Sequence, residues 1–135
     1  MDIKLFYTSP CEEIMLSYNF NKKTLFLFPL NLAGNISNIK DILISYKKII
    51  SADIILSMWQ CSNKADLVRK KYYNNCGLIN LKLERTDVAY NFVSNNFTSK
   101  SYTSGFLNEL IVNNDFAIHK KYSFEGLQCW HFSLN

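Results

Sequence analysis

The chain has 135 residues, of which 48% are hydrophobic, and its 15 basic and 11 acidic side chains give a net charge of +4. This length predicts one domain, residues 1–135, with a substantial buried core. The small charge excess argues against a dedicated nucleic-acid binder, and the longest apolar runs are too short to cross a membrane.

The N-terminus and the cysteines indicate a cellular compartment. The first residues, MDIKLFYTSPCEEIM, lack the basic start and long apolar run of a signal peptide. Cys11, Cys61, Cys76 and Cys129 form no C-x-x-C pair, so we expect no zinc site. Together these features predict a cytoplasmic protein with reduced thiols and no membrane contact.

The first half of the chain is predicted to alternate strands and a helix. Residues 3–7 indicate a short strand, and the runs 14–20 and 24–30 around Asn21-Lys22-Lys23 indicate a β-hairpin. Apolar residues then recur at helical spacing from Ile36 to Ile50, with Asn35 or Ser37 as the cap. The run DIILSMW, residues 53–59, indicates a buried strand.

The second half continues the alternation. Ser62 is predicted to cap a helix that ends at Gly77, and residues 78–83 then alternate as a strand. We expect a third helix around Phe92, a polar loop over 95–104 and a short fourth helix from Phe106 to Ile111. Residues 116–122 fit a helix or a strand, and LQCWHFSL fits a strand.

Two segments of the chain resemble each other. Residues 66–83 and 115–132 each show an apolar stretch, a Lys-Lys pair beside Tyr, a Gly and a strand-like run. We interpret them as two helix-to-strand connections in one sheet. The predicted fold class is therefore α/β (α+β), a mixed sheet with an N-terminal β-hairpin and three to four helices.

The second segment, residues 113–127, resembles the C-terminal motif of the GNAT acetyltransferase superfamily. The matching residues are Asn114, Ile118, His119, Lys121, Tyr122, Phe124 and Glu125. Residues 53–83 are more loosely similar to the strand–helix–strand of some two-part members. The resemblance implies a GNAT-like topology.

That family holds the acetyl-CoA pyrophosphate on a glycine-rich loop before a helix. The corresponding stretch here, residues 100–105, has one glycine, Gly105. We therefore predict no cofactor, and a GNAT-like enzyme is an alternative rather than the first hypothesis.

No assembled catalytic motif occurs in the sequence. Cys129 and His131 lie two apart on a predicted strand and share a face, but that spacing is too wide for a Cys–His nucleophile pair. Glu12 and Glu13 are neighbours that point apart, which favours a role at a helix start. We predict no catalytic and no metal-binding residues.

The strongest polar features are two basic–aromatic clusters. Each has two interpretations: a surface that contacts a partner, or the basic end of a helix whose tyrosines complete the core. The predicted partner-binding residues are Arg69, Lys70, Lys71, Tyr72, Tyr73, Lys120, Lys121 and Tyr122.

Size, aromatic content and the missing motifs favour a non-enzymatic protein-binding module. In general character the chain is similar to bacterial immunity or antitoxin-type proteins of contact-dependent inhibition systems, which implies a cognate protein toxin as the partner. The alternatives are a small or degenerate GNAT-like N-acetyltransferase and an RNA-associated protein that uses the basic clusters.

Overall fold

The computed structural model describes residues 24–36, 38–47 and 52–135. Within these ranges the chain forms seven strands, three α-helices and one 3₁₀ turn, so the prediction of a mixed α/β fold is confirmed. In chain order the elements are β1 (Thr24–Phe28), the 3₁₀ turn (Leu32–Asn35), α1 (Ile39–Tyr46), β2 (Ala52–Trp59), α2 (Asn63–Asn75), β3 (Lys82–Arg85), β4 (Ala89–Ser94), β5 (Phe97–Tyr102), α3 (Ser104–Val112), β6 (Phe116–Phe124) and β7 (Leu127–Leu134).

The larger sheet has four strands in the order β1-β2-β7-β6. β1 and β2 are parallel, joined through α1, and Phe26 lies opposite Ile54. β7 runs antiparallel to both of its neighbours, and its Phe132 lies opposite Ile54 of β2. The sheet therefore combines a parallel pair with an antiparallel hairpin, as predicted for a mixed sheet.

A second sheet, β3-β4-β5, is a three-stranded meander between α2 and α3. Here two predictions are wrong: the expected third helix around Phe92 is β4, and the expected loop 95–104 contains β5. The polar composition of β5 concealed the strand, because its buried side chains include Ser99 and Ser101. A strand whose inward residues are serines lacks the apolar alternation by which half-buried strands are recognised.

The main core lies between the four-stranded sheet and the pair α1 and α3. The apolar face of α1, which helical spacing predicts, forms part of this core. Tyr46 stacks on Phe26 with ring centres 4.3 Å apart. α3 contributes Leu107, Leu110 and Ile111. β7 shows the alternation of a half-buried strand, since Gln128, Trp130 and Phe132 are buried while the residues between them are partly exposed.

The two similar segments fold differently. Residues 66–83 run from α2 to β3, as predicted, although β3 begins only at Lys82. Residues 115–132 instead form the β6–β7 hairpin, so 116–122 is a strand and the interpretation as a second helix-to-strand connection is wrong. Glu125 and Gly126 both have positive φ, 45° and 87°, at the tight turn of this hairpin.

The ends of α2 follow the sequence closely. The Ser62 side chain accepts a hydrogen bond from Ala65 N at 3.2 Å, and Gly77 has φ 85° just beyond the helix. By contrast, α1 begins after Asn38, and that side chain makes no capping bond to the helix backbone. The predicted strand 3–7, the first hairpin arm and the predicted cap Ser37 lie outside the described residues.

Of the helices in the described ranges, none is long and apolar enough to cross a membrane.

Candidate functional site at the carboxyl ends of the parallel strands

In open α/β sheets, ligands bind in the crevice outside the carboxyl ends of the parallel strands. In this chain those ends are Phe28 of β1 and Trp59 of β2. The loops that follow lead into α1 and α2, so the N-termini of both helices lie at the edge of the sheet where the two strands end. This edge is therefore the first place to look for a functional site.

The edge is occupied by a buried asparagine. Asn31 is 4% exposed and has φ 59°, a left-handed conformation that Asn tolerates better than most residues. Its Nδ2 donates to Ser99 Oγ at 2.8 Å, while its Oδ1 accepts from Trp59 N and Ser101 Oγ, each at 3.4 Å. Asn31 therefore ties β5 across the ends of β1 and β2.

A buried arginine extends this polar network into α2. Arg69 is 0% exposed, and its Nη2 donates to Ser99 Oγ at 3.1 Å while its Nε donates to the Tyr73 hydroxyl at 3.2 Å. The Tyr73 and Ser99 hydroxyl oxygens are 2.6 Å apart. Arg69 also donates to the Tyr90 carbonyl at 3.2 Å, so its charge is widely hydrogen-bonded although it is out of water.

Gln128 on β7 adds another buried polar side chain at the strand ends. Its Nε2 donates to the carbonyls of Trp59 and Tyr102 at 3.1 and 2.8 Å, and its Oε1 accepts from Trp130 Nε1 at 3.1 Å. We name the set Asn31, Arg69, Tyr73, Ser99, Ser101 and Gln128 the polar plug. Because the polar plug fills the strand ends, a ligand can bind beside them but not directly over them.

The loop after β1 also leaves no space for a close ligand. A Cβ on Gly34 would lie 1.8 Å from the Lys100 carbonyl oxygen and 2.6 Å from Asn31 Nδ2. This glycine therefore permits close packing of the chain on itself. It does not provide the open glycine backbone with which phosphate-binding loops approach their ligands.

Beside the polar plug lies an open groove of about 390 Å³, which we name the α1–α3 groove. This volume is within the range of small-molecule sites, about 300–1,000 Å³. Its lining combines two aromatic rings, three amides, one carboxylate, one ammonium group and two aliphatic side chains. The residues are Asn38, Ile39, Lys40, Tyr102, Phe106, Glu109, Leu110, Asn113 and Asn114.

Neighbouring groups hold the aromatic side chains of the α1–α3 groove in place. The rings of Tyr102 and Phe106 are stacked with centres 5.2 Å apart. Tyr102 is 6% exposed, and burial raises the pKa of its phenol above the ordinary value. Thr103 accepts from Phe106 N at 3.3 Å and so fixes the start of α3, which carries Phe106 and Glu109 into the groove.

A second groove, of about 300 Å³, lies between α2 and β3. We name it the α2–β3 groove. Its polar wall holds an ion pair in which Arg85 Nη2 donates to Asp66 Oδ2 at 3.0 Å. The lining residues are Asn63, Asp66, Leu67, Lys70, Leu81, Leu83, Arg85 and Phe92.

The structure divides the first predicted partner-binding cluster. Arg69 and Tyr73 belong to the polar plug and are buried, which agrees with the interpretation of this segment as a helix that completes the core. Lys70, Lys71 and Tyr72 are exposed on α2. A partner-binding role for these three stays a prediction.

The second predicted cluster lies on β6, at the edge of the four-stranded sheet among the described strands. Lys121 Nζ donates to Asn108 Oδ1 at 2.7 Å and lies 4.4 Å from the centre of the Trp130 ring, so it holds β6 to α3. Lys120 and Tyr122 are exposed, with the ammonium 6.0 Å from the ring centre. Partner binding by this cluster also stays a prediction.

Sequence reasoning missed a histidine pair on the other face of the four-stranded sheet. The rings of His119 and His131 are 5.0 Å apart; His131 Nε2 lies 3.2 Å from Asp53 Oδ1 and His119 Nε2 lies 2.7 Å from Ser133 Oγ. A β-bulge between Ile118 and Lys120 brings His119 to that face. In the part of the chain that the structure describes, no group of three or more His, Cys, Asp or Glu side chains is arranged to hold a metal.

Comparison with known proteins identifies the fold. No family model and no curated protein matches the sequence. Among solved structures, the chain is similar to the glycopeptide N-methyltransferase MtfA, with a TM-score of 0.50, 9% identity, and coverage of 90% of this chain and 59% of that one. An S-adenosylmethionine-dependent methyltransferase from Clostridium acetobutylicum gives a TM-score of 0.47 at 9% identity, over 89% of this chain and 62% of that one.

The likeness to the MtfA structure shows that the chain shares the α/β fold of that protein. The chain spans about three fifths of the length of the two solved structures. The predicted GNAT-like topology is therefore wrong. Its key segment, residues 113–127, lies mostly in the β6–β7 hairpin and not in a helix followed by a strand.

The same finding contradicts the hypothesis of a non-enzymatic immunity or antitoxin-type protein, because the solved structure that shares the fold is an N-methyltransferase. It supports neither the acetyltransferase alternative nor the RNA-associated one.

Proposed function

We propose that this chain is a methyltransferase-type domain that binds an adenosyl methyl donor, S-adenosylmethionine, in the α1–α3 groove. The observation that carries the proposal is the lining of that groove, on a fold similar to that of an N-methyltransferase. The polar plug and the packed Gly34 exclude the usual position over the strand ends. The α1–α3 groove lies beside those ends and is open.

The groove offers a matching group for each part of this ligand. The Phe106 ring, supported by Tyr102, gives an aromatic face on which adenine can stack. Glu109 is an exposed carboxylate of the type that accepts hydrogen bonds from ribose hydroxyls. Lys40 can pair with the carboxylate of the amino-acid portion, and Asn113 can hydrogen-bond the adenine edge.

When bound, the donor supplies an electrophilic methyl group on a positively charged sulfur. A carboxylate attracts such a cation, so Glu109 would stabilise the charged donor more than its neutral demethylated product. Because Glu109 is exposed, its effect is expected to weaken with added salt.

Isothermal titration calorimetry with S-adenosylmethionine and S-adenosylhomocysteine tests the proposal. We expect saturable one-to-one binding to the wild-type chain. Phe106→Leu, which keeps apolar volume but removes the ring, should weaken binding by about 10-fold or more, given that base–aromatic stacking contributes about 1–3 kcal/mol. Lys40→Ala should also weaken it.

The matched control for Lys40→Ala is Lys82→Ala, an exposed lysine on β3 that does not line the groove. It should bind the donor like the wild type. Thermal melting of every variant separates lost binding from lost folding. If the folded wild-type chain takes up neither ligand at about 1 mM, the weak end of useful affinity, the proposal is overturned.

A further inference from the structure

The second half of β6 is an exposed edge of the four-stranded sheet. Among the described strands β6 has one neighbour, β7, so the backbone N–H and C=O groups on its other side are paired with no described strand. The first three residues of β6 are at least partly buried, whereas every residue from His119 to Phe124 is exposed. Such an edge is a template to which another extended chain can add as a strand.

A β-bulge limits the length of this edge. The bulge lies between Ile118 and Lys120, and beyond it the pairing with β7 is regular, from Lys120 opposite His131 to Phe124 opposite Leu127. We name residues 120–124 the β6 edge. Its length falls within the usual range of strands, about 3–10 residues, so a partner strand has a continuous register to follow.

The side chains of the β6 edge alternate between the two faces of the sheet. Lys121 lies on the face that packs against α3, where it donates to Asn108 Oδ1. Lys120, Tyr122 and Phe124 lie on the opposite face, and the two aromatic side chains are 56% and 72% exposed. Two exposed aromatic rings, two positions apart on one strand, provide an apolar surface that the side chains of a neighbouring strand can cover.

The charge of the β6 edge selects the chain that can add to it. The edge contains Lys120 and Lys121 and no carboxylate, and neither lysine forms an ion pair with a described residue. Lysines on an edge strand disfavour pairing with a second copy of this chain, because like charges would meet across the new pair of strands. With an acidic strand the same two charges become attractive.

We propose that the β6 edge binds an extended acidic segment of a partner protein, which adds to the four-stranded sheet beside β6. The backbone of the segment pairs with the edge, its apolar side chains cover Tyr122 and Phe124, and its carboxylates lie beside the two lysines. An anionic lipid surface would also match lysines and aromatic rings, but it has no backbone to pair with a strand. This site shares no residue with the lining of the α1–α3 groove, so it does not depend on the proposed function.

Titration of the ¹⁵N-labelled chain with the peptide acetyl-Thr-Val-Glu-Val-Glu-Glu-Thr-amide tests the proposal. When this peptide adds antiparallel to β6, its valines can lie opposite Phe124 and Tyr122 and its adjacent glutamates opposite Lys121 and Lys120. We expect saturable amide shifts in β6. Hydrogen exchange should become slower at those amides of the β6 edge that do not bond to β7. The same peptide with lysine in place of each glutamate should bind at least about 5-fold more weakly, because attractive pairs become repulsive.

Two variants of the edge have matched controls. Lys120→Glu should weaken binding of the glutamate peptide and strengthen binding of the lysine peptide, each by about 3-fold or more, whereas Lys82→Glu, at an exposed lysine on β3, should change neither. Phe124→Ser should weaken binding of the glutamate peptide by about 3-fold or more. Ile79→Ser should not, although Ile79 is 69% exposed, because it lies in the loop between α2 and β3. Thermal melting verifies that each variant is folded.

The absence of saturable shifts in β6 at about 1 mM glutamate peptide would overturn the proposal. Equal binding of the two peptides would overturn it as well, and so would binding without slower exchange at the β6 edge. Shifts of the β6 edge that depend on protein concentration, without peptide, would assign the edge to a second copy of the chain. Binding to phosphatidylserine vesicles but not to the peptide would assign it to a membrane surface, and either result would overturn the proposal.

Discussion

The guanidinium carbon of Arg69 lies 4.9 Å from the centre of the Phe92 ring, and both side chains are buried. This contact joins α2 to β4 in the interior. It also explains how a full charge is accommodated there, since the ring face attracts the cation while Ser99, Tyr73 and Tyr90 accept its hydrogen bonds. Arg69 is thus a buried link between the smaller sheet and α2, in addition to the ion pair between Arg85 and Asp66.

Replacing this arginine should destabilise the fold. In Arg69→Met the aliphatic volume is largely kept, but the Ser99 hydroxyl and the Tyr73 hydroxyl lose their charged donor inside the protein. We expect a loss of about 3–5 kcal/mol in the free energy of unfolding, the usual cost of breaking a buried charged network. Urea denaturation followed by circular dichroism measures it.

The control for that substitution is Lys71→Met on the same helix, where the side chain is exposed and the change should stay within about 0.5 kcal/mol. A loss below about 1 kcal/mol for Arg69→Met would mean that the arginine does not hold the smaller sheet to α2.

Replacing two of the glycines by alanine should change the free energy of unfolding in opposite directions. In Gly34→Ala the new Cβ would lie 1.8 Å from the backbone oxygen of Lys100, which cannot move without displacing β5. We expect a loss of at least about 3 kcal/mol. In Gly105→Ala, in the first turn of α3, nothing lies within 4 Å of the Cβ, so a gain of roughly 0.5–1 kcal/mol is expected.

Thermal unfolding of both glycine variants in one buffer makes the comparison. If Gly34→Ala melts at the wild-type temperature, the close approach between the loop after β1 and β5 is not present in solution.

The parts of the fold that could be predicted are those whose signals are local. Ser62 and Gly77 mark the ends of α2 because capping and positive φ depend on single residues. β2 could be predicted from an apolar run, and β7 from the strict alternation of apolar and polar residues. β4 and β5 were not, since their stability depends on pairing with each other and on buried serines whose partners are distant in sequence.

The candidate sites were harder still to predict. The polar plug joins Asn31 to Ser99, 68 residues away, and no local pattern encodes such a bond. Arg69 illustrates the difficulty. It begins the run Arg-Lys-Lys, which is typical of a protein surface, yet it is buried while both lysines are exposed. Helical spacing alone cannot decide which of three consecutive cations faces the core.

The start of α3 depends on one hydroxyl. Thr103 Oγ1 accepts from Phe106 N at 3.3 Å and donates to the Asp87 carbonyl at 3.2 Å. Thr103→Ala should therefore cost about 1 kcal/mol in the free energy of unfolding, the usual effect of removing an N-cap.

Thr103→Ser, which keeps the hydroxyl, should cost clearly less than alanine. Chemical denaturation of the two variants side by side provides the measurement. Equal losses would indicate that the methyl group, and not the cap, determines stability at this position.

Alkaline pH should destabilise the protein in part through Cys61. Burial is the main cause that raises the pKa of this thiol above its ordinary value of 9.0, and the thiol donates to the Ser101 carbonyl at 3.2 Å. Above about pH 9 the unfolded chain releases the proton first, so the folded state binds more protons and the free energy of unfolding falls as pH rises. Below about pH 9 both states hold the proton and this thiol causes no pH dependence.

Cys61→Ser keeps a donor toward Ser101 but does not ionise in this range. The difference in unfolding free energy between wild type and Cys61→Ser should be constant from about pH 7 to 8.5. Above about pH 9 the wild type should lose stability relative to Cys61→Ser. Urea denaturation under reducing conditions at several pH values measures it, and the remaining titrating groups cancel because both chains share them. Parallel curves up to about pH 10.5 would show that the thiol has the same proton affinity in the folded and unfolded states.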